Sequence, residues 1–454
     1  MASPAETLAA SLNMSTFSKA TELKKRIWFT LLALIVYRLG TYIPVPGIDP
    51  VALSQIFSQH AGGILGMFDM FAGGALMRMT VFALGVMPYI TASIIVQLLS
   101  AIVPAFEAMK KEGQAGQLRM NQYSRYLTVM FAVVQSYALA VGLETMGGVG
   151  SAVIDPGFFF RISTVITLTG GTVFLMWLGE QITARGIGNG VSMIIYAGIV
   201  ANLPHAMATT LELGRTAALS TVFILFLLVL IVAVLAICVF FERAQRRILV
   251  NYPKRQVGNR VYGGESSHMP LRLNTSGVIP PIFASSLLLF PLTLASFTDV
   301  QQKGGWLADL VAAMSHGQPL FMILYALLII FFAFFYTAVV FNPSDTAENL
   351  RKYGGFVPGI RPGKNTADYF DYVLTRLTVL GALYLVAICL LPEILMSAKN
   401  LPFYLGGTSL LIVVSVTIDT ISRIQSHLIA HQYEGLIKKS RAGAAPARFK
   451  GRKR

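Results

Sequence analysis

Apolar runs of membrane length recur ten times along the chain, at 24–43, 79–103, 126–143, 162–180, 187–203, 218–241, 275–295, 319–341, 377–396 and 403–422. About twenty helical residues at ~1.5 Å each match the ~30 Å hydrocarbon core of a bilayer, so the pattern predicts ten membrane-spanning helices. The connections are short, the largest being 242–274 and 342–376, and none holds a soluble domain. Five spans fall on each side of the chain midpoint. An odd number per half makes the halves inverted relative to each other, although no residue-level repeat links 24–203 to 218–422. One apolar stretch breaks the pattern. Ile64 to Phe71 covers only about 12 Å as a helix, too short to cross, and the pairs Gly62-Gly63 and Gly73-Gly74 bracket it as hinges. Taken alone, this stretch reads as a helix lying on the outer leaflet.

Composition agrees with the pattern. The 454 residues are 55% hydrophobic and 13% charged, whereas soluble chains are about a quarter charged. The first run follows Lys24, Lys25 and Arg26 without a small-residue cleavage site, which predicts a retained span and not a removed signal peptide. Cys238 and Cys389 lie inside apolar runs, which excludes a disulfide framework and a cysteine metal site. Of the 36 Lys and Arg residues, 30 lie in the termini and alternate loops on one side, five in the loops of the other, and Arg38 lies within the first span. This bias places both termini in the cytoplasm and the 64–71 stretch outside. The expected organisation is a cytoplasmic segment 1–23, an N-terminal half 24–203, an outer hinge loop 204–217, a C-terminal half 218–422 and a basic cytoplasmic tail 423–454. The end of the tail, KKSRAGAAPARFKGRKR, is expected to be disordered, with lipid headgroups or ribosomal RNA as its sharper possible contacts.

The residues needed for catalysis or ion coupling are missing. All six histidines fall in loops or the tail, and no HExxH or GxSxG occurs, so neither a metal-dependent nor a serine-type enzyme is indicated and no cofactor is expected. Ion-coupled transporters keep carboxylates near the bilayer midplane. Here the candidates are Asp419 and Arg38, both toward span ends, where interfacial roles fit better than relays. What remains is a passive route driven from elsewhere, with a small-solute transporter or pore on a ten-span scaffold as the alternative. Uncharged polar residues gather on the second, third and seventh spans: Thr91, Ser93 and Gln97, then Gln135, then Asn274, Thr275 and Ser276. Interhelical hydrogen bonds worth ~0.6 kcal/mol each are the plain reading, and a seam that can part is the sharper one. Gly85 and Pro88 in the second span and Pro280 and Pro281 in the seventh are expected to loosen those helices.

Longer motifs go further. YIPVPGID at 42–49, MFDMFAGGAL at 67–76, FALGVMPYITASII at 82–95, MWLGEQITARGIGNGVS at 176–192, ERAQRR at 242–247, VIPPIFASS at 278–286, FFYTAVVFNPSDTAENL at 334–350, FVPGIRPG at 356–363, TRLTVLGALY at 375–384 and PFYLGGTSLLIVV at 402–414 resemble the SecY family of protein-translocation channels. The resemblance runs from about Leu23 to Tyr433. It implies an all-α polytopic membrane protein of two inverted five-helix halves around an hourglass pore, with SecE and SecG as further subunits. The substrates it implies are unfolded preproteins and signal sequences, driven by the ATPase SecA or a docked ribosome. It assigns a re-entrant plug to Ile64, Leu65, Met67, Phe68, Asp69, Met70 and Phe71. It assigns a pore ring to Val86, Ile90, Ile195, Ile199, Ile282 and Ile412, where Val86 departs from the more usual Ile by one methyl. A lateral gate, where signal sequences dock and open onto membrane lipids, would use Thr91, Ser93, Gln97, Gln135, Asn274 and Thr275. The docking surface for SecA and ribosomal RNA would be Arg246, Arg247, Lys254, Arg255, Arg260 and Arg361. No catalytic residue and no metal ligand are implied, and the implied location is the cytoplasmic (inner) membrane.

Overall fold

The computed structural model describes residues 21–50, 52–53, 69, 71–145, 153–216, 220–253, 255–257, 260–262, 266–296, 313, 318–399 and 407–443. Each of the ten apolar runs falls on a helix: α1 Thr21–Gly40, α2 Met87–Ile102, α4 Gln114–Thr145, α5 Phe158–Arg185, α6 Gly190–Arg215, α7 Thr221–Arg243, α8 Ile279–Ser296, α9 Pro319–Val340, α11 Lys364–Lys399 and α12 Gly407–Gly443. Two short polar helices, α3 Pro104–Lys111 and α10 Pro343–Lys352, follow α2 and α9. Among the described residues, seven helices are long and apolar enough to cross a membrane alone, and α2 joins them if counted together with α3, which turns away by 96°. α1 is diluted by its charged first turns, and α8 has 18 residues, so a count of ten crossings is consistent with the structure without following from helix length alone. At 36 and 37 residues, α11 and α12 reach ~55 Å and carry polar ends well beyond the hydrocarbon.

Several expectations need correcting. The second apolar run begins at 79, but α2 begins at Met87, and residues 79–86 form turns in which Met79 and Gly85 take positive φ. Pro88, Pro280 and Pro281 therefore sit in first turns, where the backbone N–H has no intrahelical partner. These prolines start α2 and α8 and do not loosen them. The expected loop 204–217 is helical as far as Arg215, with Pro204 inside α6. Hydropathy falls there, but Ala, Met, Leu and Glu are good helix formers, so polarity ends the apolar run without ending the helix. The tail is helical through Gly443, and 444–454 lie outside the described residues.

The 242–274 loop contains strands. β1 Gln245–Asn251 pairs antiparallel with β4 Ser266–Arg272, from Gln245 opposite Arg272 to Asn251 opposite Ser266, and β2 Arg255–Val257 pairs with β3 Arg260–Tyr262. Ile248 and Val250 face inward while Arg247 and Leu249 face out, a period of two among charged residues.

The chain before 217 packs as α2 on α4, α4 on α5, and α1 and α6 on α5. The chain after 220 packs as α8 on α9, α9 on α11, and α7 and α11 on α12. The two parts meet along two seams, α2 and α4 against α8, and α6 against α7 and α12. One apolar cluster continues across both.

Candidate functional site

Val86 precedes the first turn of α2, and Ile90 lies one turn further on. Ile195 and Ile199 form an i, i+4 pair on α6, Ile282 opens α8, and Ile412 lies on α12. All six are buried within the one cluster, from Ile412 at 1% exposure to Ile282 at 9%. They come from four helices that meet across the two seams. An open cavity of about 1000 Å³ is lined by residues near three of these positions in the chain: Asn189 before and Met193 in α6, Asn274 before and Ile279 in α8, and Val413 to Arg423 of α12. Asp419 and Arg423, both on its wall, pair with each other at 2.8 Å and are about half exposed, so Asp419 belongs to a solvated ion pair.

Level with Ile195 and Ile199, α6 meets the segment that follows the 64–71 stretch. Gly73 approaches α6 so closely that a Cβ placed on it would lie 2.8 Å from Gly198 Cα, and Gly74 faces Asn202. Tyr37 donates from its hydroxyl to the Ala72 carbonyl at 3.2 Å, and Arg38 Nη1 donates to the Gly73 carbonyl at 2.9 Å. Arg38 is thus a tether to this segment as well as an interfacial cation. Asp69 is helical, and its Oδ1 accepts from Met77 N–H at 2.8 Å while its carbonyl accepts from Gly74 N–H at 3.0 Å. Burial raises the Asp69 carboxyl above its ordinary range, opposed by the backbone N–H groups of Met77 and Leu76. The sequence left Asp69 without a discriminating role, and the structure makes it the clasp of the 69–77 turn. Phe71 is buried in the main cluster. Ile64, Leu65, Met67, Phe68 and Met70 lie outside the described residues.

The polar residues assigned to the gate divide. Thr91 is buried and donates to Met87 O of its own helix at 3.1 Å, and Thr275 donates to Arg272 O at 3.0 Å. Asn274 bonds Glu242 Oε1 of α7 at 2.8 Å and Gly277 O at 3.1 Å, which fixes the start of α8 within its own half. Gln97 and Gln135 each bury an amide oxygen with no hydrogen bond among the described residues. Ser93 and Gln97 line a groove of about 560 Å³ between α2, α3, α4 and α9, together with Lys110, Gln117, Asn121 and Tyr336. Those last four were missed from sequence because α3 and α4 approach α9 only in the folded chain. Lys110 donates to Val339 O at 3.2 Å across the groove.

Arg246, Arg247 and Arg361 are all exposed. The sequence placed them in separate loops, but the structure joins them in one body. Asn251 and Phe356 exchange backbone bonds at 2.9 and 3.0 Å, and Ile248, Leu271, Val357, Phe370 and Leu374 form a second apolar cluster beneath. The Arg361 turn is held by Thr366 Oγ1 donating to its carbonyl at 3.0 Å. Lys254 lies outside the described residues, and Arg255 and Arg260 lie on β2 and β3, their side chains outside the description. Phe370→Ala is expected to cost ~3–5 kcal/mol of local stability, since its ring is fully buried. Limited proteolysis should then cut the 242–274 and 353–363 segments together. Unchanged protection of both would separate the loops again.

A family model described as SecY matches residues 80–421. The protein translocase subunit SecY of Rickettsia conorii is 56% identical over 426 residues, covering 93% of this chain and 98% of that protein. The Escherichia coli K12 protein of the same name is 54% identical over 419 residues, covering 92% and 95%. Among solved structures, one titled as a protein conducting channel superposes with a TM-score of 0.63 at 16% identity, over 89% of this chain and 92% of that one. Sec61 in a canine ribosome-channel complex superposes at 0.61 and 17% identity with the same coverage. Those two likenesses concern the fold, and the identity to the curated relatives carries the assignment: the chain belongs to the SecY family.

Proposed function

We propose a working scheme for this multi-pass protein of the bacterial cytoplasmic membrane, a protein-conducting channel subunit of the translocase and not an enzyme. An unfolded preprotein enters the 1000 Å³ cavity from the cytoplasm, where both termini lie, and threads between Val86, Ile90, Ile195, Ile199, Ile282 and Ile412. The plug, Ile64 to Phe71, swings out on its glycine hinges, and a signal or transmembrane segment leaves sideways between α2 with α4 and α8 with α9. SecA or a ribosome pushes from the body that carries Arg246, Arg247, Lys254, Arg255, Arg260 and Arg361. SecE and SecG complete the complex. The observation that carries this reading is what α6 meets along its length: Ser192 and Met193 line the open cavity, Ile195 and Ile199 are buried in the aliphatic cluster, and Gly198 and Asn202 receive Gly73 and Gly74.

Inner-membrane vesicles containing the chain with SecE should import a signal-bearing preprotein only with SecA and ATP. Solute flux that needs neither would favour a small-solute pore. Arg361→Glu should leave membrane levels near normal, because Arg361 is exposed on a turn and contributes little to folding. SecA-driven import should fall at least about tenfold, the effect of losing ~1.4 kcal/mol at a charged docking contact. Full import by that variant would remove Arg361 from the scheme.

A further inference from the structure

The end of α1 carries a cluster that the transport scheme does not use. Arg78 lies 4.4 Å and Arg38 5.8 Å from the centroid of the Tyr42 ring, both within cation–π range. Tyr42 and Arg78 are exposed and Arg38 is partly so. Neither arginine forms an ion pair among the described residues. The acidic group acting on Arg78 is Asp69, whose carboxylate already accepts from Met77 N–H. Two guanidinium groups thus share one exposed ring with no counter-charge bonded to them.

Below that ring runs an exposed apolar stripe at helical spacing, Trp28, Leu32, Ile35 and Leu39. From Trp28 to Leu39 it spans about 16 Å, close to the ~15 Å acyl depth of one leaflet. An apolar track one leaflet deep, ending in an aromatic ring and two cations that form no ion pair among the described residues, complements a phospholipid. The acyl chains would lie on the stripe and the headgroup phosphate at the guanidinium groups, where bidentate donors suit phosphate oxygens.

We propose that Arg38, Tyr42 and Arg78 form a headgroup site for an anionic phospholipid at the end of α1. Free phosphate shares the headgroup chemistry but makes no use of the stripe. A partner helix would use the stripe but leaves two cations needing an anion. The site adjoins the plug segment directly, since the same Arg38 guanidinium holds the Gly73 carbonyl.

The test uses the full chain with its partner subunits in detergent, with retained lipid counted by native mass spectrometry. Phosphatidylglycerol should be retained in preference to phosphatidylcholine. Arg78→Gln should weaken that retention about fivefold, and Arg38→Gln with Arg78→Gln about thirtyfold, from the usual contribution of one interfacial arginine. Arg78 donates to no backbone carbonyl among the described residues, so its single variant keeps the test decisive if the double variant fails to assemble. Equal retention of the two lipids, or unchanged retention in Arg78→Gln, overturns the proposal. Displacement of the lipid by excess inorganic phosphate would show a general anion site and overturn it too. A cysteine at Leu39 should crosslink to a photoreactive phosphatidylglycerol. Crosslinking to a partner subunit instead would make the stripe a subunit interface.

Discussion

Replacing Ile282 or Ile412 by Asn should open the resting channel to ions and let poorly targeted substrates through. A narrow aliphatic neck excludes water because water there finds no hydrogen-bonding partner, so it gates by dewetting. Ile412 is 1% exposed and shares its cluster with Phe71 and Ala72 at the end of the 64–71 stretch, the plug of the proposed scheme. An amide at that position gives water a partner, and in the closed state it leaves a buried polar group that costs ~1–3 kcal/mol. Both effects weaken closure, and the second alone shifts the closed–open ratio by roughly five- to 150-fold. Planar-bilayer conductance reads the wetting, and export of a reporter with a defective signal sequence reads the closure. Ile412→Leu is the control, since it keeps apolar volume and should change neither. Normal expression of both Asn variants with unchanged conductance and export would mean that these side chains only pack.

Gly73→Ala should release from α6 the segment that the proposed scheme makes the plug, with a comparable effect on leakage. Gly73 has φ +69°, and a side chain in that region costs ~1–2 kcal/mol. The added Cβ would also lie 2.8 Å from Gly198 Cα, well inside the ~3.5–4.0 Å of normal carbon contact. The obstacle is helix backbone, which cannot rotate away as a side chain can. The Tyr37 and Arg38 bonds to 72 and 73 would be lost with the displacement. Gly74→Ala separates strain from clash. Its φ is +82°, but its Cβ would meet only Asn202 Oδ1 at 3.5 Å. We expect resting conductance to rise at least about tenfold in Gly73→Ala and clearly less in Gly74→Ala, as ~3 kcal/mol or more compares with ~1–2. A Gly73→Ala channel as tight as the parent would sink the close-contact account.

How far the sequence could be read depended on the range of each interaction. The apolar runs that became α4, α5, α7, α9 and α11 were legible because lipid demands ~20 apolar residues whatever surrounds them. The helix starts at Pro88 and Pro280 were misread, because the rule against proline inside a helix does not say where the helix begins. The β1–β4 ribbon was overlooked because its inward residues are few and lie among arginines. The aliphatic ring could be assigned only through resemblance, since Ile on a membrane helix is equally at home against lipid.

By itself the sequence determined a polytopic α-helical membrane chain, its charge asymmetry, the absence of membrane-centre carboxylates and the half-length segment with glycine hinges. Each follows from local composition acting against a uniform solvent. Only the tertiary structure decided that six aliphatic residues from four helices are buried in one cluster, and that Gly73 rests on Gly198. The same holds for Asp69 closing its own turn, and for Arg246 and Arg361 sharing one body. These depend on contacts between residues tens to hundreds of positions apart. Such contacts leave no periodicity in a single chain, because the partner that defines each one is not its neighbour in sequence.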